Sequence, residues 1–209
     1  MYEQLRALID GAKRIAFFGG AGVSTESGIP DFRGVDGLYR QTYDYPPERY
    51  LSHEFFFSHT AEFYRFYRDK MLPLDAQPSG AHRFLAYLEQ SGRDIAVITQ
   101  NIDGLHQKAG SKRVYELHGS IYRNHCLRCG LSAAPEQIRD SEGLPRCTSC
   151  GGLIKPDVVL YGEPLDEAVV SAAVEAIARA DLLISEPIGA VLQSLMPHTP
   201  EPPHGKSRP

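Results

Sequence analysis

Long apolar runs are missing from this chain. None of its 209 residues sits in a stretch approaching the roughly 20 apolar residues that cross a bilayer, which excludes a transmembrane helix. An excess of one charge is missing too. There are 22 Lys and Arg against 26 Asp and Glu, a net charge of -4, so electrostatic capture of nucleic acid or an anionic membrane is not expected. The N-terminus, MYEQLRALIDGAKR, carries acids and no long apolar segment, so no secretory signal is expected and a reducing, cytoplasmic location follows as the default. Internal repeats are absent. Cysteine is absent everywhere except between positions 126 and 150.

What remains is an ordinary globular composition, 42% hydrophobic and 23% charged, long enough for one domain with a core and a small appended module. The four cysteines form two C-x-x-C pairs, Cys126/Cys129 and Cys147/Cys150, with seventeen residues between the pairs. That spacing is the zinc-ribbon pattern. Each pair would sit on a tight turn and aim two thiolates at one point. Four thiolates fill a tetrahedral shell and leave no open position, so the expected ion is structural Zn2+. A redox pair, or no metal, is the alternative. His125, beside Cys126, could compete as a ligand.

Short apolar runs alternate with helical patterns. Residues 3–13 predict a helix with Leu5, Leu8 and Ile9 on one face. Ile15–Phe18, Asp94–Thr99, Val114–Leu117, Val158–Leu160 and Asp181–Ile184 read as strands. The aromatic stretch 48–72 and His82–Gln90 read as helices. So does 166–180, with its stripe at Val170, Ala173, Val174 and Ile177. Strand–helix alternation predicts an α/β fold with a parallel sheet. The polar segment 123–152 reads as an inserted module. The last 25 residues hold six prolines and are expected to be disordered.

Three segments carry candidate chemistry. GGAGVSTESGIPDFRG follows the first strand. Its small residues would let the backbone approach a pyrophosphate, a following helix would offer its amides, and Ser24, Thr25 or Ser27 could cap that helix or bond phosphate. The alternative is a tight turn without a ligand. TQNIDGLH follows the second strand and supplies Gln100, Asn101 and Asp103, which could equally cap the loop. In ELHG, His118 follows a short strand and could act as a general base.

Taken together, GAGVSTESGIPDFRG, TQNIDGLH, ELHG, the paired C-x-x-C and KPDVVLYGE resemble, in order and spacing, the sirtuins, NAD-dependent protein lysine deacylases. The likeness runs from about Ala12 to Ile184. FFFSHTAEFYRFYRDKM also resembles that family's cofactor-loop helix. The resemblance implies a Rossmann-like sheet formed by 1–122 and 153–184, a helical cofactor-loop subdomain at 36–80, and a zinc module at 123–152. It implies that Gly20, Ala21, Gly22 and Ser24 cradle the NAD+ phosphates. Asp31, Phe32 and Arg33 would belong to a loop closing over the ribose. Gln100, Asn101, Ile102 and Asp103 would line the ribose and nicotinamide pocket, with Asn101 at the catalytic centre and His118 the catalytic base. Val158, Val159, Tyr161 and Gly162 would pair with an extended acyl-lysine peptide.

The implied transferase reaction starts with attack of the acyl oxygen on C1′ of the nicotinamide ribose, displacing nicotinamide. His118 then deprotonates the neighbouring ribose hydroxyl, and lysine and O-acyl-ADP-ribose are released. Acidic-acyl members of the family carry Tyr-x-x-Arg in the aromatic helix. Here Tyr64 is followed at that spacing by Tyr67, so acetyl-lysine is the expected substrate. After DLLI the family continues with a Gly-Thr/Ser-Ser loop and further strands, whereas this chain runs into Ser185-Glu186-Pro187. A truncation or frameshift after Ile184 is the expectation, with a catalytically impaired remnant as the competing reading. A mono-ADP-ribosyltransferase is the third.

Overall fold

The computed structural model describes residues 2–31 and 44–185. The expected loop residues Phe32 and Arg33, positions 36–43 of the expected helical subdomain and the tail beyond Ser185 lie outside them.

Strands β1 (Arg14–Gly19) and β2 (Asp94–Thr99) are continuous apolar runs, as suits strands covered on both faces. They pair in parallel from Arg14 opposite Asp94 to Gly19 opposite Thr99. Strand β3 (Val114–Glu116) joins β2, and β6 (Leu182–Ile184) joins β1. The result is a four-stranded, fully parallel sheet in the order β3-β2-β1-β6.

Alternating side chains feed two cores. Ile15, Phe17, Ile95 and Val97 pack under Ile9 of α1 (Tyr2–Gly11) and Phe84, Leu85 and Leu88 of α5 (Gly80–Gln90). Ala16, Ala96 and Ile98 meet Ala173 of α8 (Glu167–Arg179) on the other face. Each large aliphatic or aromatic side chain buried this way contributes about 1.5–3 kcal/mol.

Two positions of the expected helical stripes face solvent. Leu8 and Val174 are each 59% exposed. Helix α8 reaches the sheet through alanines, which permit close approach. Its contact face therefore runs through Ala173, Ala176 and Ile177, and Val174 lies about 100° round the helix from Ala173.

A third core joins segments far apart in sequence. The short helices α2 (Pro47–Tyr50), α3 (His53–Ser58) and α4 (Thr60–Lys70) bring Phe56, Phe63, Tyr64 and Tyr67 against Ile121, Ile138, Ile154 and Val158. The latter come from the antiparallel strands β4 (Gly119–Cys126) and β5 (Ile154–Val158), and from α7 (Pro135–Arg139) between them. Arg68 ties the two parts further. Its Nε donates to the Ile138 carbonyl (2.8 Å) and its Nη2 to Ser141 Oγ (2.8 Å). The Tyr64 hydroxyl donates to the Ile154 carbonyl.

The strand expected at Val158–Leu160 lies earlier, at Ile154–Val158. Pro156 obscured it in the sequence, because proline cannot donate to a ladder. The ladder accommodates it with a register shift between Ser120 and Asn124. Helices α6 (Leu105–Ala109) and α7, five residues each, are too short to be read by periodicity, and the eight residues of β4 do not alternate strictly between buried and exposed.

Candidate active site at the carboxyl ends of β1, β2 and β3

The three adjacent parallel strands β1, β2 and β3 each end in one of the chemistry-bearing segments. This is the end at which open α/β sheets bind ligands. Beyond β1, Gly20 brings bare backbone close to Gln100: a Cβ placed there would lie 3.2 Å from Gln100 Oε1. The segment then folds as two 3-10 turns, Ala21–Val23 and Thr25–Ser27, and not as the expected α-helix. Ser24 makes no cap. Its hydroxyl is drawn into the site, and the left-handed Gly28 (φ 80°) ends the second turn.

Ser24 Oγ donates to Asp103 Oδ2 at 2.6 Å and accepts from Asn101 Nδ2 at 2.9 Å. The second Asp103 oxygen accepts from the Leu105 amide at 2.9 Å. Ser24 and Asp103 are both buried. Burial raises the Asp103 carboxyl above its ordinary value, while the Ser24 hydroxyl and the Leu105 amide act in the opposite direction. The β1 and β2 loops are thereby locked together by three side chains. The Gln100 amide adds a backbone bond to the Gly19 carbonyl (3.0 Å).

His118 follows β3. Its Nδ1 lies 3.0 Å from the Gln100 carbonyl oxygen. A carbonyl only accepts, so Nδ1 carries the proton and Nε2 holds the lone pair of the neutral ring. The next residue, Gly119, has φ 76°, and a Cβ there would fall 1.8 Å from the Asp157 carbonyl oxygen. Only glycine admits β5 this close behind the histidine. The His118 carbonyl accepts from Val159 N (2.9 Å), which places the segment after β5 beside it. Val158 is the last residue of β5. Val159, Tyr161 and Gly162 lie beyond the ladder, not on the strand expected there.

Two cavities open in this region. One, of about 300 Å³, is lined by Gln100, His118, Val158, Val159, Tyr161 and Gly162 among others. A smaller one, of about 60 Å³, is lined by Ala21, Ser24, Ile29, Pro30, Asn101 and Asp103. Met71 and Ile102 line both, so the cavities adjoin across these two side chains. Asp31 is half-buried at the end of the described loop. Met71, Leu51, Glu163 and Leu165 were not legible as site residues. Met71 and Glu163 close two of the segments that carry the resemblance but were not singled out there, while Leu51 and Leu165 lie outside any local pattern.

The cysteines form a separate centre. All four sulfurs lie within 4.8 Å of one another. The Cys126–Cys150, Cys129–Cys150 and Cys129–Cys147 sulfur separations are 3.4, 3.4 and 3.7 Å. A tetrahedron with Zn–S bonds of about 2.3 Å has edges of about 3.8 Å, so the donor set fits one Zn2+. Matching turns place the pairs: the amides of Gly130 and Gly151 donate to the carbonyls of Cys126 and Cys147, both at 2.9 Å. His125 stands outside this group, and its Nδ1 contacts Asp157.

Comparison with known proteins agrees with this architecture. A model described as the Sir2 family matches residues 20–194. A protein of Clostridium acetobutylicum named NAD-dependent protein deacetylase is 54% identical over 185 residues, covering 87% of this chain and 76% of the relative. One of Cutibacterium acnes with the same name is 52% identical over 184 residues, covering 87% and 75%. Among solved structures, a Sir2 complex with p53 peptide and NAD+ superposes with a TM-score of 0.76 at 40% identity, covering 88% of this chain and 75% of that one. A Sir2 with deacetylated p53 peptide and 3′-O-acetyl ADP-ribose gives 0.79, also at 40% identity, covering 88% and 74%. With the strand ends, the four-sulfur centre and these likenesses in agreement, the chain belongs to the Sir2 family.

Proposed function

We propose that this protein is an NAD-dependent protein lysine deacetylase of a reducing cytoplasm, releasing nicotinamide and O-acetyl-ADP-ribose. The observation that carries this reading is the meeting of two cavities at Ile102 and Met71. One holds the Ser24–Asn101–Asp103 group and the other holds His118. Relatives named for this activity, and solved complexes containing peptide and NAD+, support it.

Bound NAD+ supplies the ribose carbon to which the acyl oxygen is transferred. Gly20, Ala21 and Gly22 offer backbone with little side-chain bulk against the phosphates, and Ser24 lies at the foot of that loop. Gln100, Asn101, Ile102 and Asp103 hold the ribose and nicotinamide, with Asp31 at the loop above. Asn101 is oriented by Ser24 and by its own amide, which donates to Thr99 Oγ1 at 3.0 Å. His118 takes a ribose hydroxyl proton at Nε2, since Nδ1–H is committed to Gln100. Val158, Val159, Tyr161 and Gly162 form the wall along which an extended peptide lies, recognised mainly through its backbone. Zn2+ on Cys126, Cys129, Cys147 and Cys150 is structural. Among the described residues no helix is long and apolar enough to cross a membrane.

Acetyl is favoured over acidic acyl groups. Tyr67 is fully buried, Arg65 is exposed, and Arg68 is engaged by the Ile138 carbonyl and Ser141. Neither arginine is placed to meet a carboxylate in the 300 Å³ cavity, whose lining includes neither. The test is mass spectrometry of products from NAD+ and matched acetyl- and succinyl-lysine peptides. Acetyl turnover with O-acetyl-ADP-ribose is expected. Faster succinyl turnover would overturn the acyl preference, and ADP-ribose appearing on protein without deacetylation would favour a transferase.

A further inference from the structure

At the wall of the larger cavity, which Glu163 lines, and behind it lies a charged group that the reaction itself does not use. Lys155, on β5, is only 9% exposed. Burying an ammonium is costly unless every donor finds a partner. Its Nζ donates to Glu163 Oε2 (3.2 Å) and to the carbonyls of Pro156 and Val158 (both 3.3 Å), and it lies 5.8 Å from the centre of the Phe56 ring. Glu163 Oε2 also accepts from Leu160 N (3.0 Å), and Oε1 contacts His53 Nδ1 (2.9 Å). His53 closes the circle, since its backbone amide donates to the Tyr161 carbonyl (2.9 Å). Although burial raises it, the Leu160 amide, His53 and Lys155 together hold the Glu163 carboxyl below its usual range.

Every contact of this group falls on the segment from Pro156 to Glu163 or on helix α3, which braces it. That segment leaves its ladder at Val158, and beyond it the main chain is held by a single parallel bridge, Tyr161 to Ser52, and by the bond from Val159 N to the His118 carbonyl. Side-chain charges therefore add fixation where strand pairing is reduced to one bridge. A wall that recognises extended backbone needs its own polar groups held at set positions, because an ordered site loses less entropy on binding.

We infer that Lys155 and Glu163, tethered to α3 by His53, are positioning residues that set the peptide-binding wall 158–162. The inference rests on the deacetylase reading for its ligand, an acetyl-lysine peptide, and its consequence falls on peptide affinity and not on NAD+.

The test uses the full chain, a fluorescent acetyl-lysine peptide for direct binding, and steady-state turnover. Lys155→Met and Glu163→Ala are expected to weaken peptide binding and raise peptide KM by about tenfold, with NAD+ KM within about twofold. Glu163→Gln keeps an acceptor for Leu160 N and should recover part of the loss. His53→Ala, at a half-exposed position that spares the core, should raise peptide Kd about threefold. Leu88→Ala, in the distant α5 core, controls for stability: it should lower Tm and leave peptide binding unchanged. Peptide affinity within twofold of wild type in His53→Ala and both Glu163 variants would overturn the inference. So would equal loss of NAD+ and peptide affinity, or a wild-type protein that binds no peptide. Wild-type peptide binding without turnover would instead overturn only the proposed activity.

Discussion

The Nδ1 atom of His118 sits 3.0 Å from the main-chain oxygen of Gln100, so the loop that follows β2 sets the tautomer of the histidine that follows β3. The residue that lines the cavity and the residue that would move the proton are thus coupled through backbone. Replacing His118 with Ala should lower kcat by about 10²–10⁴-fold. NAD+ affinity should stay near wild type, because the ring touches the Ser24–Asn101–Asp103 group only through Gln100. Isothermal titration alongside turnover checks both halves.

Ser24 is the one hydroxyl linking Asn101 to Asp103. Ser24→Ala leaves a buried carboxylate oxygen short of its donor, at a cost of about 1–3 kcal/mol. That should appear as weakened NAD+ binding and slower turnover. A variant with unchanged NAD+ Kd would show that this group does not face the cofactor.

The four-sulfur centre predicts one zinc per chain, released by thiol-modifying reagent and read with a metallochromic dye. Cys126 and Cys147 are buried in the same core as Tyr64, Phe63, Ile138 and Ile154. Chelation, or Cys129→Ser at the exposed ligand, should therefore lower Tm and loosen the aromatic helices as well as the cysteine loops. A metal content of zero in protein purified under reducing conditions would refute the site.

Histidines 82 and 106 pack ring to ring at 4.5 Å inside the protein. Burial, with a smaller contribution from Arg83, pushes His82 down from 6.5 to about 4, and burial, with His82, pushes His106 well below its ordinary value. For a base with a depressed pKa the unfolded chain binds protons first. Stability is therefore complete above about pH 6.5 and falls as pH drops toward 4, by about 3 kcal/mol for His82 alone. Urea unfolding at pH 7 and pH 5 should show about 2 kcal/mol of this loss, and His82→Gln should reduce it. An identical pH dependence in wild type and variant would refute the assignment.

Much of the site was legible because its parts are local. A buried strand needs an apolar run, so β1, β2 and β6 could be read directly, and each candidate segment follows its strand within a few residues. The cysteine spacing encodes two turns with two thiolates each, which is a local matter. Patterns of a few residues were not legible: Pro156 masked β5, α6 has only five residues, and the helix expected to follow the glycines is replaced by two 3-10 turns, with Ser24 bonded to Asp103.

By itself the sequence determined the α/β class, the parallel sheet, the four-cysteine set and the candidate segments at the strand ends, because each depends on neighbours along the chain. Tertiary structure alone decided which of those segments touch. It put Ser24 against Asp103, set the His118 tautomer through Gln100, fused the aromatic helices with the cysteine loops into one core, and buried Lys155 against Glu163 of the cavity wall. The physical reason is that these are contacts between segments distant in sequence. Their geometry comes from strand order and core packing, which no local periodicity encodes.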